Sequence, residues 1–308
     1  GTATTKVYGN LGKVRNRGLD LSMDYTHQIG KDFFISAKGT FTFARNRVLE
    51  QDEPDYLQYP NLSRVGRSVN SFLLYEAQRL FIDNNEVKYS PEQLLGGEIM
   101  AGDIKYVNQP DANGNYDNTI NSNDRIYAGY PEVPEIVYGF GFSAQWKGLD
   151  FSVFFQGTGN HYWYPHGEMM PFWGCYSYPY LSYLPTDFLG KVWAEDNPNS
   201  YFPRARAYSS SGGYLSKVND RYLQNIRYLR LKNLTVGYTI PVSLTKKAGI
   251  DQIRVYFSGE NLAYWSPLKK NTKYVDPEAA INRSSHAEFN RVYYPWPKTF
   301  MFGIDVTF

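Results

Sequence analysis

The sequence predicts an all-β chain: about seven antiparallel strands that span a membrane as a segment of a large β-barrel, with long loops on the extracellular side. Three observations predict it. Apolar and polar residues alternate with period two in segment after segment, the mark of strands with two unlike faces. The connections alternate between short turns and very long excursions, as in membrane barrels with periplasmic turns and extracellular loops. Aromatic residues make up 17% of the chain, an excess that favours strands, stacking surfaces or membrane-interface belts.

Residues 18–28 place Leu19, Leu21, Met23 and Tyr25 on one side and Asp20, Ser22, Asp24 and Thr26 on the other. Gly30-Lys31 turns the chain. In residues 32–45, Phe33, Ile35, Ala37, Phe41 and Phe43 alternate with Ser36, Lys38, Thr40 and Thr42. Residues 138–157, YGFGFSAQWKGLDFSVFFQG, read as a β-hairpin about Lys147-Gly148. Phe140, Phe142 and Trp146 form one row, and Leu149, Phe151, Val153 and Phe155 the next. Residues 226–238 are less regular, because Arg230 and Lys232 share parity with Leu234 and Val236. A bulge near Asn233 reconciles them. Residues 252–262 follow, and the last strand, 298–308, carries Phe300, Phe302, Ile304, Val306 and Phe308 in an unbroken apolar row.

Long loops are expected over about 49–135, 161–225 and 263–297. Stretches of this length are uncommon in compact soluble domains. If the chain ends in the periplasm, counting back puts all three outside, provided residues 65–81 (VGRSVNSFLLYEAQRLF) do not cross. The apolar rows then face lipid. Burying a Phe is worth about 1.5–3 kcal/mol and a mid-membrane charge costs about 2–4 kcal/mol, so charge-free rows are what lipid demands. A soluble β-sandwich core shows the same alternation. A secreted or surface-attached β-rich glycan-binding module is therefore the competing expectation, and loop asymmetry and the terminal row favour the barrel.

Other classes find little support. A net charge of +2 offers no nucleic-acid footprint. Cys175 is the single cysteine, so no intrachain disulfide exists. No apolar run is long enough for a membrane helix. A mean hydropathy of −0.50 does not argue against a barrel, whose strands are half polar. The chain opens GTATTKVYGN, without Met or a leader, and reads as a processed or truncated piece.

Several stretches together resemble the SusC/RagA family of TonB-dependent outer-membrane transporters. NIRYLRLKNLTVGYTIP (225–241) is similar to that family's YLRLKNLTLGYTLP signature. GKVRNRGLDLS (12–22), GDIKY (102–106), WKGLDFSVFFQG (146–157), WAEDNPNSYFPR (193–204), RVYFSGENL (254–262) and the ending FGIDVTF support it in family order. The resemblance implies that residues 1–308 are the C-terminal part of a 22-stranded barrel whose plug and earlier strands are absent here. It also implies import of oligosaccharides or peptides, energised through TonB and the plug, under a SusD-like surface lipoprotein that acts as a lid. The terminal Phe resembles the signal read by the outer-membrane barrel assembly machinery.

Candidate chemistry is sparse. Asp111, Asn113 and Asn115, with Asn121 and Asp124 to close it, have the spacing of a calcium loop, a possible structural Ca2+ site. Tyr116 stands where the sharp turn needs Gly, so a plain Asn/Asp/Gly turn cluster competes. In HYWYPHGEMMPFWGCYSYPY (161–180), Tyr162, Trp163, Tyr164, Phe172, Trp173, Tyr176 and Tyr178 are candidates to contact substrate or lid, or to pack the loop. His161, His166 and Glu168 are a weak metal set. Asp20, Asp24, Asp150, Arg254, Glu260 and Asp305 are expected to line the lumen or meet the plug. Asp187, Glu195, Asp196 and Glu260 show no glycosidase pairing, and no nucleophile elbow, P-loop or dinucleotide fingerprint appears. No enzymatic activity is expected.

Overall fold

The structure, a computed structural model, describes residues 9–165, 167–180, 184, 186–280 and 295–308. His166, the opening eight residues and much of the expected third loop lie outside the described residues. The chain divides into two units. One contains residues 18–44, 133–163 and 224–308, the other residues up to Arg17 with 45–132 and 164–223.

The first unit is built on a seven-stranded sheet: β1 (Lys13–Ile29), β2 (Phe33–Glu50), β3 (Ile136–Trp146), β4 (Leu149–Gly159), β5 (Tyr228–Thr239), β6 (Gln252–Trp265) and β7 (Thr299–Thr307). Spatial order follows chain order, and β2 to β7 pair antiparallel. Seven strands match the number expected. Segment 65–81 does not join them: Ser71–Tyr75 pairs with Arg125–Pro131, and Ala77–Leu80 with Ile104–Tyr106. The hairpin turn also has the expected chemistry. Lys147 and Gly148 both take positive φ, 47° and 87°, the geometry of a type I′ turn that matches strand twist. A Cβ on Gly148 would sit 2.5 Å from the carbonyl oxygen of Thr239.

Register resolves the irregular strand. Phe154 pairs with Asn233 and Phe155 with Leu231, so Lys232 is bulged out. The bulge shifts parity, which returns Leu229 and Leu231 to the face of Leu234 and sends Arg230 to the other.

With the registers aligned, five rows cross one face. They run Phe33–Trp146–Leu149–Tyr238–Val255–Ile304, Ile35–Ala144–Phe151–Val236–Phe257–Phe302, and Ala37–Phe142–Val153–Leu234–Gly259–Phe300. Two shorter ones follow, Gly39–Phe140–Phe155–Leu231–Ala263 and Phe41–Tyr138–Gly157–Leu229–Trp265. None carries a charge. Aromatic rings reinforce the rows, with Phe140 stacked on Phe155 at 5.0 Å and Phe257 tilted on Phe302 at 5.2 Å. Yet Phe300 is 61% and Phe302 84% exposed, and Val306 and Phe308 are exposed too, so none of the described residues covers that end of the face. Tyr and Trp sit in the two outermost rows, and mostly aliphatic residues and Phe lie between.

The second unit has its own core. Leu74, Ile104, Phe172, Trp173, Tyr176, Phe202 and Tyr222 are buried in it.

Candidate functional site

The opposite face of the sheet is polar and alternates with the apolar one residue by residue. Its middle row runs Ser36–Ser143–Ser152–Thr235–Ser258–Met301, five small hydroxyls side by side on adjacent strands. The row on one side is Lys38–Gly141–Phe154–Asn233–Glu260–Thr299 and on the other Phe34–Gln145–Asp150–Gly237–Tyr256–Gly303. Thr42 donates to Asp20 at 2.9 Å, which puts Asp20 on this face as expected.

Arg254 organises the turn end of the face. Its Nε and Nη2 donate to the two oxygens of Asp150 at 2.9 and 2.8 Å, and its Nη1 reaches Asp305 at 3.2 Å. The fork arches over Gly237, where a Cβ would lie 2.5 Å from Asp150 Oδ1 and 2.7 Å from Arg254 Nη2. Only glycine leaves room for this bidentate pair.

A second network went unnoticed in the sequence. Arg230, 1% exposed, donates to Asp276, 3% exposed. Its Nε lies 2.8 Å from Glu278, which also takes Lys232 Nζ at 2.7 Å. The Arg230 guanidinium stands over the Tyr264 ring at 4.9 Å. The sequence signal was present as the parity fault at Arg230 and Lys232. Their partners, some 46 residues on, carried no mark of their own.

In the second unit, two of the resemblance motifs pack on each other. Gly102, at φ 87°, lies against Trp193, whose ring would meet a Cβ at 2.5 Å. The Gly102 carbonyl accepts from Arg204 N at 2.9 Å, and the Arg204 guanidinium stacks on Trp193 at 4.6 Å. Asp103 is fully buried and pairs with Arg206 at 2.6 Å, while burial pushes its carboxyl above the ordinary range. Glu86 shows the contrary balance. Burial pushes it up, but the Arg79 guanidinium, the Ile82 N–H and Lys105 outweigh that and hold it at about 2.

The loop aromatics separate into two sets. Trp163, Phe172, Trp173 and Tyr176 are buried and offer no face to a ligand. Phe172 and Trp173 meet edge to face at 4.9 Å and Trp173 and Tyr222 at 5.1 Å, while Phe188 and Phe202 are tilted at 4.2 Å. Trp173 Nε1 donates to Pro165 O at 3.1 Å and the Tyr176 hydroxyl to Pro203 O at 2.6 Å, satisfying the polar tips of buried rings. Of the candidate set these four serve packing. Tyr162 and Tyr164 are half-buried, and the Tyr164 hydroxyl takes Asn219 Nδ2 at 3.0 Å. Tyr178 is half-buried as well: it donates to Glu168 at 2.8 Å and lies 6.0 Å from both Tyr180 and Tyr208, which are 66% and 48% exposed. Tyr180 and Tyr208 had not been singled out.

The carboxylates of the 111–124 loop are engaged by its own backbone. Asp111 Oδ1 accepts the N–H of Asn113 at 2.8 Å and of Asn115 at 2.9 Å. Asp124 accepts the N–H of Gln109 and of Asn121, both at 2.7 Å, in a capping box with Asn121. These oxygens are turned on the loop's own backbone, as in an ordinary Asx-turn cluster. Among the described residues, no group of three His, Cys, Asp or Glu converges. His161 and Glu168 thus gain no third ligand there.

Comparison with known proteins places these features. No protein-family model matches the chain. It is 26% identical over 323 residues to the TonB-dependent receptor P26 of Formosa agariphila, covering 97% of the chain and 30% of the relative. With the TonB-dependent receptor SusC of Bacteroides thetaiotaomicron it shares 24% identity over 318 residues, 97% of the chain and 27% of the relative. A solved RagAB peptide transporter superposes with a TM-score of 0.65 at 22% identity, over 98% of the chain and 30% of that structure, a likeness of fold. The chain thus spans about 30% of the length of the curated relatives it matches.

Proposed function

We propose, from the similarity to TonB-dependent receptors including SusC, that the chain forms part of the wall of an outer-membrane nutrient importer. The single observation that carries this reading is the run of five charge-free rows across successive strands, backed by a mainly polar opposite face. Phe140, Phe142, Trp146, Phe151, Val153, Phe155, Phe300, Phe302, Ile304, Val306 and Phe308 face lipid. From Leu149 to Gly157 the apolar band spans roughly 27 Å of strand, before tilt, against an apolar belt of about 25 Å in such barrels. Trp146 and Tyr238 mark one membrane interface, Tyr138 and Trp265 the other. Exposed N–H and C=O groups at a sheet edge are not tolerated in lipid, so β1 and β7 pair with strands of the same protein beyond this stretch.

The hydroxyl row and its ion-paired flanks line the lumen, and the long loops are extracellular. Tyr178, Tyr180 and Tyr208 present ring faces there to an oligosaccharide or peptide, or to a SusD-like lipoprotein lid. Energy coupling belongs to the plug and TonB. The chain does no covalent chemistry on its cargo.

The test is the mass of the heat-denatured native polypeptide in an outer-membrane fraction, detected with an antibody to the 263–297 loop. A heat-modifiable species well above 35.5 kDa is expected. The same epitope in the soluble fraction would remove the importer reading and favour a glycan-binding module.

A further inference from the structure

Beyond the Lys38–Glu260 row, away from the Lys147-Gly148 turn, the polar face continues as Thr40–Gly139–Gln156–Arg230–Tyr264. Thr40 is exposed at one end of this row, yet Arg230 is buried near the other. Its cover is the first part of the third long loop. Leaving β6, the chain forms the short 3₁₀ turn Pro267–Lys270 and then buries Thr272, Val275, Asp276 and Ala280. Contacts along its length fix it to the sheet. Lys269 Nζ donates to the Tyr264 carbonyl at 2.6 Å and stands 3.7 Å from the centre of the Tyr264 ring. Arg230 holds Asp276, and Arg230 and Lys232 share Glu278. The chain returns at Trp296, whose N–H donates to Asp276 at 3.3 Å and whose ring lies 5.0 Å from Lys232 Nζ. Trp265, next to Tyr264 but on the apolar face, stays 56% exposed, so the loop lies over the polar side of these strands.

A loop that only capped the sheet from outside would leave this row to water, as Thr40 is left. We propose that residues 267–280 are an inward strap: they turn back into the lumen, lie on the wall over β5 and β6, and narrow the path of the cargo there. Such a path favours a slender, extended chain over a compact solute of the same mass. Breaking a buried ion pair from one side is costly, so the strap is held in one place and does not swing free. Arg230 and Lys232 are positioning residues, which act by fastening the strap. The proposal rests on the reading of the polar face as the lumen.

The test uses the purified full-length protein in lipid nanodiscs, checked for a heat-modifiable band, with Cys175 and every other cysteine replaced by serine. Single cysteines are then introduced as Tyr274→Cys on the strap, Lys38→Cys on the open wall and, as the reference, Leu189→Cys at a position 76% exposed in the loop unit. Each is reacted with a small charged maleimide and with a polyethylene-glycol maleimide, and rates are scaled to those of the unfolded protein. The small-to-large rate ratio should be about tenfold higher for Tyr274→Cys and Lys38→Cys than for the reference, since the large reagent must wait for the strap to open locally. Arg230→Met should bring both ratios to within about twofold of the reference. Lys232→Met, which leaves Glu278 paired with Arg230, should lower them about threefold and keeps the test decisive if Arg230→Met fails to fold. A ratio for Tyr274→Cys equal to the reference would put the strap outside. A ratio for Lys38→Cys that stays high in both variants would mean that the strap narrows nothing. No reaction of Tyr274→Cys with either reagent would place it away from the cargo path. Each of these overturns the proposal. A parent protein with no heat-modifiable band would instead overturn the barrel reading itself, and this proposal with it.

Discussion

Val153 lies midway along β4 between Leu149 and Gly157, in the third of the five apolar rows, with Phe142 and Leu234 as its direct neighbours. About 13 Å of strand separates it from each aromatic belt. Val153→Arg therefore places a guanidinium at the membrane midplane, where the side chain is too short to reach either interface. The expected cost is about 2–4 kcal/mol for the charge, with up to 1.5 kcal/mol more for the lost Val burial. Leu149→Arg puts the same charge on the same face at the Trp146 belt, and should cost only about 0–1 kcal/mol. Ser152→Arg, one residue from Val153, points to the polar face between Ser143 and Thr235 and should fall within about 0.5 kcal/mol of the parent. The assay is urea unfolding of the full-length protein in lipid vesicles, followed by the heat-modifiable band. A graded series Val153, Leu149, Ser152 is the signature of a lipid face. Equal damage at Ser152 and Val153 would mean both faces are packed, and equal damage at Val153 and Leu149 would mean no membrane depth exists; either refutes the reasoning.

Arg230→Met should cost about 3–5 kcal/mol, because Asp276 is left charged and buried, and Asp276→Asn in the same chain should restore part of it. Hydrogen exchange over residues 272–280 reads the effect. Glu86 is held at about 2 against an ordinary 4.5, so its stabilisation is full above pH 4.5 and is lost as pH falls towards 2. Glu86→Gln should accordingly weaken exchange protection of residues 83–105 at pH 7 by about 1–3 kcal/mol, with parent and variant converging near pH 2. Trp173→Ala should destabilise the loop unit by about 3–5 kcal/mol in thermal unfolding. Tyr178→Ala and Tyr208→Ala should leave its melting nearly unchanged while weakening cargo or lid binding at least fivefold, by about 1 kcal/mol each, in isothermal titration.

The strands were legible because each faces two unlike surroundings, and period two records that directly. Even the bulge could be inferred, since Arg230 and Lys232 broke a parity that Leu234 and Val236 otherwise kept. It falls at Lys232, one residue before Asn233. The ion-pair partners were not legible. Asp276 and Glu278 sit in a loop without periodicity, and a carboxylate there looks like any solvated one until the fold buries it against Arg230. The aromatic loop was ambiguous for a related reason: Trp173 and Tyr178 belong to one Tyr/Trp-rich stretch. Hydrogen-bonded edge-to-face packing buries the first fully and the second only in part, and neighbours such as Phe202 and Tyr222, distant in sequence, decide which. The 111–124 spacing suited a turn somewhat better than an ion, and the backbone bonds of such a turn are present at Asp111 and Asp124.

The placement of the connections has a kinetic consequence. β1–β2 and β3–β4 are joined by turns of a few residues, so each pair can zip as a local hairpin within microseconds, its register set by its own turn, while β5–β6 is joined by the longer link 240–251. Pairing one hairpin with the next requires closing a far longer chain, and that entropy is met late. The loop unit draws on residues 45–132 and 164–223, which flank the β3–β4 hairpin in sequence. Its core needs two segments that this hairpin separates in sequence, a non-local closure slower than the zipping of the hairpin itself.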